Sequence, residues 1–444
     1  MNIISKLKGW IKSLFPIKTI KNTLNLDVAM SQDMITKIAE WSDMYSGRAY
    51  WLNKKVKSLR LEQSIVREFS NITLNEMETS VSNDKLDTIF HSAIRDINAN
   101  LQEGLATGAM VIKPLGSDKV QYVPQNEFIP LEYDNRGRLI KVIFPDFKQL
   151  SDSDYYTRLE IHSFDCEKGL TIENKAYYSK DKNSLGREVP LESVDEWAGL
   201  DKIVTYPQML RPAFGYYRNP INNNIDGTHA GISMFECAIE TIRNADEQYG
   251  YLKWEFESGK RKVMVSELAL KRDEFGNMQV PNDDLFIQLD SDSDDFYKEF
   301  SPQFRQSDII SGLNEYKRNI EFQVGLAYGD ISDPQSVDKT ATEVKSAKQR
   351  KYNTVSAIQQ NLRDCLEDLC YALAFYNSLA TSNYEFVCNF KDSILTDEAT
   401  ERQQDYQDVS AGLMQPWEYR VKWYGESEDE AKKKLADSVS NIVE

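Results

Sequence analysis

The side chains in this chain whose types and spacing could do chemistry are charged groups at two places. The run YGDISDPQSVD, Tyr328 to Asp338, is followed by Lys339, and its Gly, Pro, Ser and Asp content marks an irregular loop. It brings Asp330, Asp333, Ser336, Asp338 and Lys339 into one short segment. A mainly acidic loop repels a phosphate backbone, so a polyanion passing it makes few lasting contacts. Lys345, Lys348 and Arg350 come next. Such cations contact phosphate or pair with an acidic neighbouring subunit, and spacing alone leaves both readings open. Lys260, Arg261 and Lys262 form a second basic cluster with the same two readings.

Signatures of catalysis are missing. Gly259-Lys260 lacks the upstream Gly and the following Ser or Thr of a phosphate-binding loop, and no G-x-S-x-G, H-E-x-x-H or credible G-x-G-x-x-G occurs. His91, His162 and His229 stand far apart in sequence and do not read as metal ligands or bases. The cysteines, Cys166, Cys237, Cys365, Cys370 and Cys388, are odd in number and contain no C-x-x-C pair. Neither a disulfide framework nor a zinc knuckle follows, and a reducing cytoplasm fits. Asp290, Asp292, Asp294 and Asp295 lack the Gly and terminal Glu of a calcium loop and read as a solvated acidic loop. The expectation is a protein without catalytic residues, metal or cofactor.

Composition narrows the class. With 41% hydrophobic and 28% charged residues, the chain is that of a folded protein. Its 444 residues predict about three domains. A net charge of −17 excludes a protein that grips nucleic acid over its whole surface, but not one that lets DNA pass. No apolar run approaches the roughly 20 residues of a membrane span. In MNIISKLKGWIKSLFPIKTIK, Ile3, Ile4, Leu7, Trp10, Ile11, Leu14 and Phe15 oppose Lys6, Lys8 and Lys12, an amphipathic helix. Its readings are docking on a neighbouring protein surface or on a membrane surface.

The charged loop must be held by what flanks it. Thr340 and Glu343 have capping-box spacing, and Val344, Ala347, Val355, Ile358, Leu362, Cys365, Leu366, Leu369, Ala372, Leu373 and Tyr376 follow at helical steps. Neither Gly nor Pro interrupts this helix to about Leu379, so it spans roughly 60 Å. Before the loop, helices over 229–258 and 306–328, the first capped by Asp226-Gly227-Thr228, flank a β-type insertion at 259–305 with KRKVMVSELAL and then FGNMQV, Gly276 in its turn. They predict an antiparallel stalk with a small cap. Residues to about 104 read as helical, with Trp41, Tyr45, Tyr50 and Trp51 as packing anchors and Gly104 and Gly108 as helix stops. An antiparallel meander is expected over 108–180, a loop over 181–228, and a strand at NYEFVCNF that rejoins the sheet. The tail reads as helices broken at Gly412 and reopened at Pro416 and at the Ser427/Glu430 capping box. The fold class is α+β.

That order of parts resembles the portal protein of tailed double-stranded DNA phages, of the type in phages of Gram-positive bacteria. The likeness is carried by TGAMVIKPL, VQYVPQNEFIPLEYDNRG, VGLAYGDISD, KTATEVKSAKQRKYNTV and SAGLMQPWEYRVKWYGESEDEA, of which the ATEV-type helix start is the most specific. The resemblance implies a ring, typically of about twelve copies, at the capsid vertex of the virion, assembled in the host cytoplasm. It implies a wing over 1–228, stem helices at 229–258 and 306–328, and a clip at 259–305. A tunnel loop at 329–339, a long helix and returning wing strand at 340–396, and a crown at 397–444 complete it. The implied partners are further copies of the chain, the terminase large subunit, a head-to-tail adaptor, major capsid and scaffolding proteins, and double-stranded DNA passing without sequence specificity. Two rival readings are an oligomeric capsid or scaffold protein without a channel, and a peripheral membrane protein anchored by the N-terminal helix.

Overall fold

The computed structural model describes residues 27–116, 119–258, 262–266, 275, 285–288, 297–300, 305–334, 341–379, 383–390 and 398–440. Helices α1 (Gln32–Tyr45), α2 (Leu61–Leu74), α3 (Asp84–Ile94) and α4 (Ile97–Thr107) come first, with strand β1 (Met77–Val81) between α2 and α3. Side-chain caps set two of the starts: the Ser31 hydroxyl accepts the Met34 amide at 3.1 Å, and the Asn83 carbonyl accepts that of Leu86 at 3.0 Å. Gly108, at φ 105°, ends α4. Gly104, expected as a second stop, lies inside α4, where an added Cβ would stand 2.9 Å from that of Met110. Trp41 and Trp51 are buried anchors, each donating its indole N–H to a carboxylate, Glu236 and Asp246 respectively. Tyr45 is half-buried, whereas Tyr50 is 64% exposed, its ring set edge-on to that of Trp51 at 4.9 Å.

The meander expected over 108–180 is two sheets. Strand β2 (Ala109–Pro114) pairs with β3 (Val120–Pro124), and a turn of 3-10 helix at Gln125–Glu127 then diverts the chain. Strands β4 (Ile129–Tyr133), β5 (Leu139–Ser151), β6 (Asp154–Asp165) and β7 (Gly169–Ser179) form a second antiparallel sheet. Gln125 causes the break. It is buried, and its amide donates to the Gly231 carbonyl at 3.1 Å while its carbonyl accepts the Gly231 N–H at 3.1 Å. A buried amide satisfied in this way fixes the chain to another segment. The expected turn after β4 forms, with Asp134 accepting the Arg136 and Arg138 amides. The segment read as loop over 181–228 supplies three short strands: β8 (Arg187–Val189) and β9 (Ile203–Tyr206) on β7, and β10 (Gly215–Arg218) on β2.

The helix expected from residue 229 begins ten residues later, as α5 (Ile239–Ser258). Ala230, Ile232, Met234 and Phe235 are buried but precede it in irregular chain and a 3-10 turn. Gly231 meets Gly108 backbone to backbone, so close that a Cβ would stand 2.0 Å from the Gly108 carbonyl oxygen. The Asn219 side-chain amide also takes the Leu105 and Ile232 carbonyls. Asp226 caps no helix at 229; it accepts the Ser31 amide at 2.8 Å at the start of α1. Strands β11 (Lys262–Ser266), β12 (Leu285–Gln288) and β13 (Tyr297–Phe300) form a sheet with β11 central, parallel to β12 and antiparallel to β13. Asp290, Asp292, Asp294, Asp295 and most of FGNMQV lie outside the described residues. Helix α6 (Gln306–Val324) ends at left-handed Gly325. Cys237 meets Gln323, Gln248 meets Ile309 and Glu255 meets Arg305, so α5 and α6 run antiparallel.

Helix α7 (Ala341–Tyr376) has 36 residues, so it spans about 54 Å. Val355, Ile358, Leu362, Cys365, Leu366, Leu369 and Leu373 are buried in the main core with α1–α4 and β2. Strand β14 (Phe386–Phe390), expected to rejoin the large sheet, pairs antiparallel with β1 instead. Helices α8 (Glu398–Ser410), α9 (Pro416–Tyr424) and α10 (Glu428–Ser440) close the chain. Ser427 and Glu430 exchange the expected capping-box hydrogen bonds at 3.4 and 3.2 Å. The amphipathic segment at 1–20 and the cap residue Thr340 lie outside the described residues.

Candidate functional site

The chain passes from α6 to α7 through the charged loop, and residues 325–334 form its described root. Glu321, one turn before the end of α6, is fully buried. One of its carboxylate oxygens accepts the amides of Gly329, Ile331 and Ser332 at 3.1, 2.7 and 2.8 Å, and the other accepts the Ser332 hydroxyl at 2.8 Å. Its backbone carbonyl takes the Gly325 and Leu326 amides. Asn314, two turns earlier on α6, accepts the Asp333 amide at 2.7 Å. A carboxylate saturated by backbone donors is a folding device, because charge-assisted bonds offset the cost of its burial.

Asp330 accepts the Ala327 amide at 2.8 Å and pairs with Lys351 of α7 at 3.0 Å. Lys351 is mostly buried and also reaches Glu68 of α2 at 3.3 Å. Arg350 lies over the Phe322 ring of α6, 4.4 Å from its centroid. Beside the root a cleft of about 320 Å³ is lined by Leu59, Leu61, Arg67, Glu68, Lys317 and Asp330 among others.

Of the residues singled out by sequence, the structure thus brings Asp330 and Arg350 to the junction of α6 and α7 and gives each a partner within the chain. Asp333 and Lys348 are exposed. Ser336, Asp338, Lys339, Lys260 and Arg261 lie outside the described residues, as do the side chains of Lys345 in α7 and Lys262 in β11. Glu321, Asn314 and Glu68 were not singled out. The one signal available was that Asn314 and Glu321 stand a heptad apart, beside the apolar stripe of Leu313, Ile320 and Val324.

The other buried charges join elements. Lys113 of β2 meets Glu160 of β6 at 2.9 Å, and His162 Nε2 lies 2.7 Å from the same carboxylate. Burial pushes Glu160 up, but the His162 hydrogen bond and the Lys113 and Arg158 charges outweigh it and hold the carboxyl well below its usual range. Asp246 of α5 accepts from Trp51 Nε1 at 2.9 Å and from the Leu59 amide at 2.7 Å. Burial, with Asp246 adding to it, lifts the nearby Glu62 carboxyl to about 7. Among the described residues, no group of three His, Cys, Asp or Glu is placed to hold a metal, and no helix is long and apolar enough to cross a membrane.

No curated protein matches the chain. The family model for phage portal proteins of the SPP1 Gp6-like type matches residues 113–442, about three quarters of the length. The match takes in the sheet from β4 to β9, β3 and β10, the paired helices with the sheet between them, the loop root, α7 and the tail. A likeness of that extent settles the family: the chain belongs to the SPP1 Gp6-like phage portal proteins.

Proposed function

We propose that the protein forms a ring-shaped channel at one capsid vertex, through which double-stranded DNA is packaged by a separate terminase and later ejected. The head-to-tail adaptor and the tail assemble on it, and capsid and scaffolding proteins surround it. Membership of the portal family is the observation that carries this reading. The α5–α6 pair supports it: Tyr249, Tyr251 and Trp254 on α5 and Ile310 and Phe322 on α6 are exposed, apolar surface of the kind covered when copies pack side by side.

In this reading α5 and α6 are the stem, the β11–β13 sheet belongs to the clip, and α7 crosses the wing. Residues 397–444 form the crown. The loop at 329–339 faces DNA, with Asp333, Ser336, Asp338 and Lys339 as its channel residues. The pairing of Asp330 with Lys351 lowers that aspartate's share in repelling the DNA backbone. Deleting residues 335–338, beyond the Glu321-held root, is expected to leave rings intact and reduce the fraction of DNA-filled heads. Unchanged filling would remove the loop from the channel.

A further inference from the structure

We propose that Glu321 is the positioning residue of the loop, so that the loop root is carried by α6 and follows that helix when α6 and α7 shift against each other. The inference rests on the channel reading only for its consequence to DNA. Toward α6, four donors of residues 329–332 converge on the Glu321 carboxylate at 2.7–3.1 Å, and Asn314 takes the Asp333 amide. These bonds are to a fully buried carboxylate, so salt and solvent screen them little. Toward α7, the root is tied by the Asp330–Lys351 ion pair, whose lysine is shared with Glu68. On this side a single ion pair holds the root, against five hydrogen bonds on the α6 side, so it yields first even though its lysine is mostly buried. Motion of the stem therefore reaches the loop through a rigid joint, and motion of the long helix through a weak one.

The test is amide hydrogen exchange across residues 327–334 in assembled wild type, Glu321→Gln, Ser332→Ala and Lys351→Gln, with DNA filling scored in phage carrying each variant. Glu321→Gln is expected to speed exchange about ten- to hundredfold, as loss of charge-assisted hydrogen bonds dictates. Ser332→Ala, which removes one donor, is expected to speed it severalfold, and Lys351→Gln, which leaves Asp330 without its cation, to speed it less than Glu321→Gln does. Wild-type exchange in Glu321→Gln overturns the proposal, and so does a Lys351→Gln root released as far as that of Glu321→Gln. Should Glu321→Gln fail to assemble, Ser332→Ala decides: faster exchange supports the joint and unchanged exchange overturns it. A released root with normal DNA filling upholds the joint but contradicts the placement of the loop against DNA.

Discussion

Trp254 offers a quantitative handle on assembly. It is 55% exposed on α5. A tryptophan presents up to about 250 Å², so roughly 140 Å² of it waits to be covered. At about 25 cal/mol per Å² that burial amounts to about 3.5 kcal/mol. Truncation to alanine forfeits most of it, about 3 kcal/mol, or roughly two orders of magnitude in the association constant at each interface. In a closed ring every copy has two such interfaces, so the loss acts on both sides. Native mass spectrometry or light scattering over a dilution series measures the concentration at which rings come apart. Trp254→Ala is expected to raise it about a hundredfold while the isolated chain unfolds as before, since the side chain packs little within its own fold. Leu413→Ala, at a site 81% exposed in the tail, is the control and should change it less than threefold. Ring dissociation in Trp254→Ala at the wild-type concentration would refute the packing of α5 between copies.

Glu62 predicts a loss of stability with rising pH. Its folded value of about 7 lies above the ordinary 4.5, so its contribution is full below about 4.5 and lost as pH rises toward 7, about 3 kcal/mol over that window. Glu62→Gln should flatten the window in thermal unfolding; an unchanged pH slope would contradict it. The Glu160–His162 pair acts in the other direction, because both groups titrate below their ordinary values in the folded chain. Their stability is present at neutral pH and is lost as pH falls, first through the histidine's unfolded value near 6.5 and then through the carboxylate range. Glu160→Ala strands the buried Lys113 and should cost about 3–5 kcal/mol in urea unfolding, with an unaltered midpoint as the contrary result. Gly231→Ala drives a methyl to 2.0 Å from the Gly108 carbonyl oxygen, which backbone cannot easily yield. A loss of about 3 kcal/mol or more is expected, and wild-type stability would show that the two segments are not so close.

Local periodicity made the long helix, the paired helices and the tail caps legible. An unbroken stripe from Val355 to Leu373, or a Ser427/Glu430 box, needs no knowledge of what lies across the core. What the sequence concealed was decided by distant partners. Ile232, Phe235 and Ile239 keep helical spacing, yet the approach of Gly231 to Gly108, more than a hundred residues away, imposes an irregular path before Ile239. Strand β14 could not announce that its partner was β1 and not the large sheet, because pairing across three hundred residues leaves no local mark. The meander divided at Gln125, a polar residue whose partner is again Gly231.

The same limit applies to the site. The loop was recognisable from its Gly, Pro and Asp content, but Asp330 looked like its other carboxylates until Lys351 was seen against it. Glu321 is one of 70 acidic residues, and nothing in its spacing says that it is buried under three backbone amides. Sequence thus locates charge well and assigns its partners poorly, because partners are chosen by tertiary packing.

The most direct measurement is electron microscopy of the purified full-length chain. Closed rings of side-by-side copies, with an axial opening wide enough for duplex DNA and the 329–339 loop projecting into it, are the expected result. A stable compact monomer at all concentrations, or assemblies that are solid or filamentous, would contradict the account.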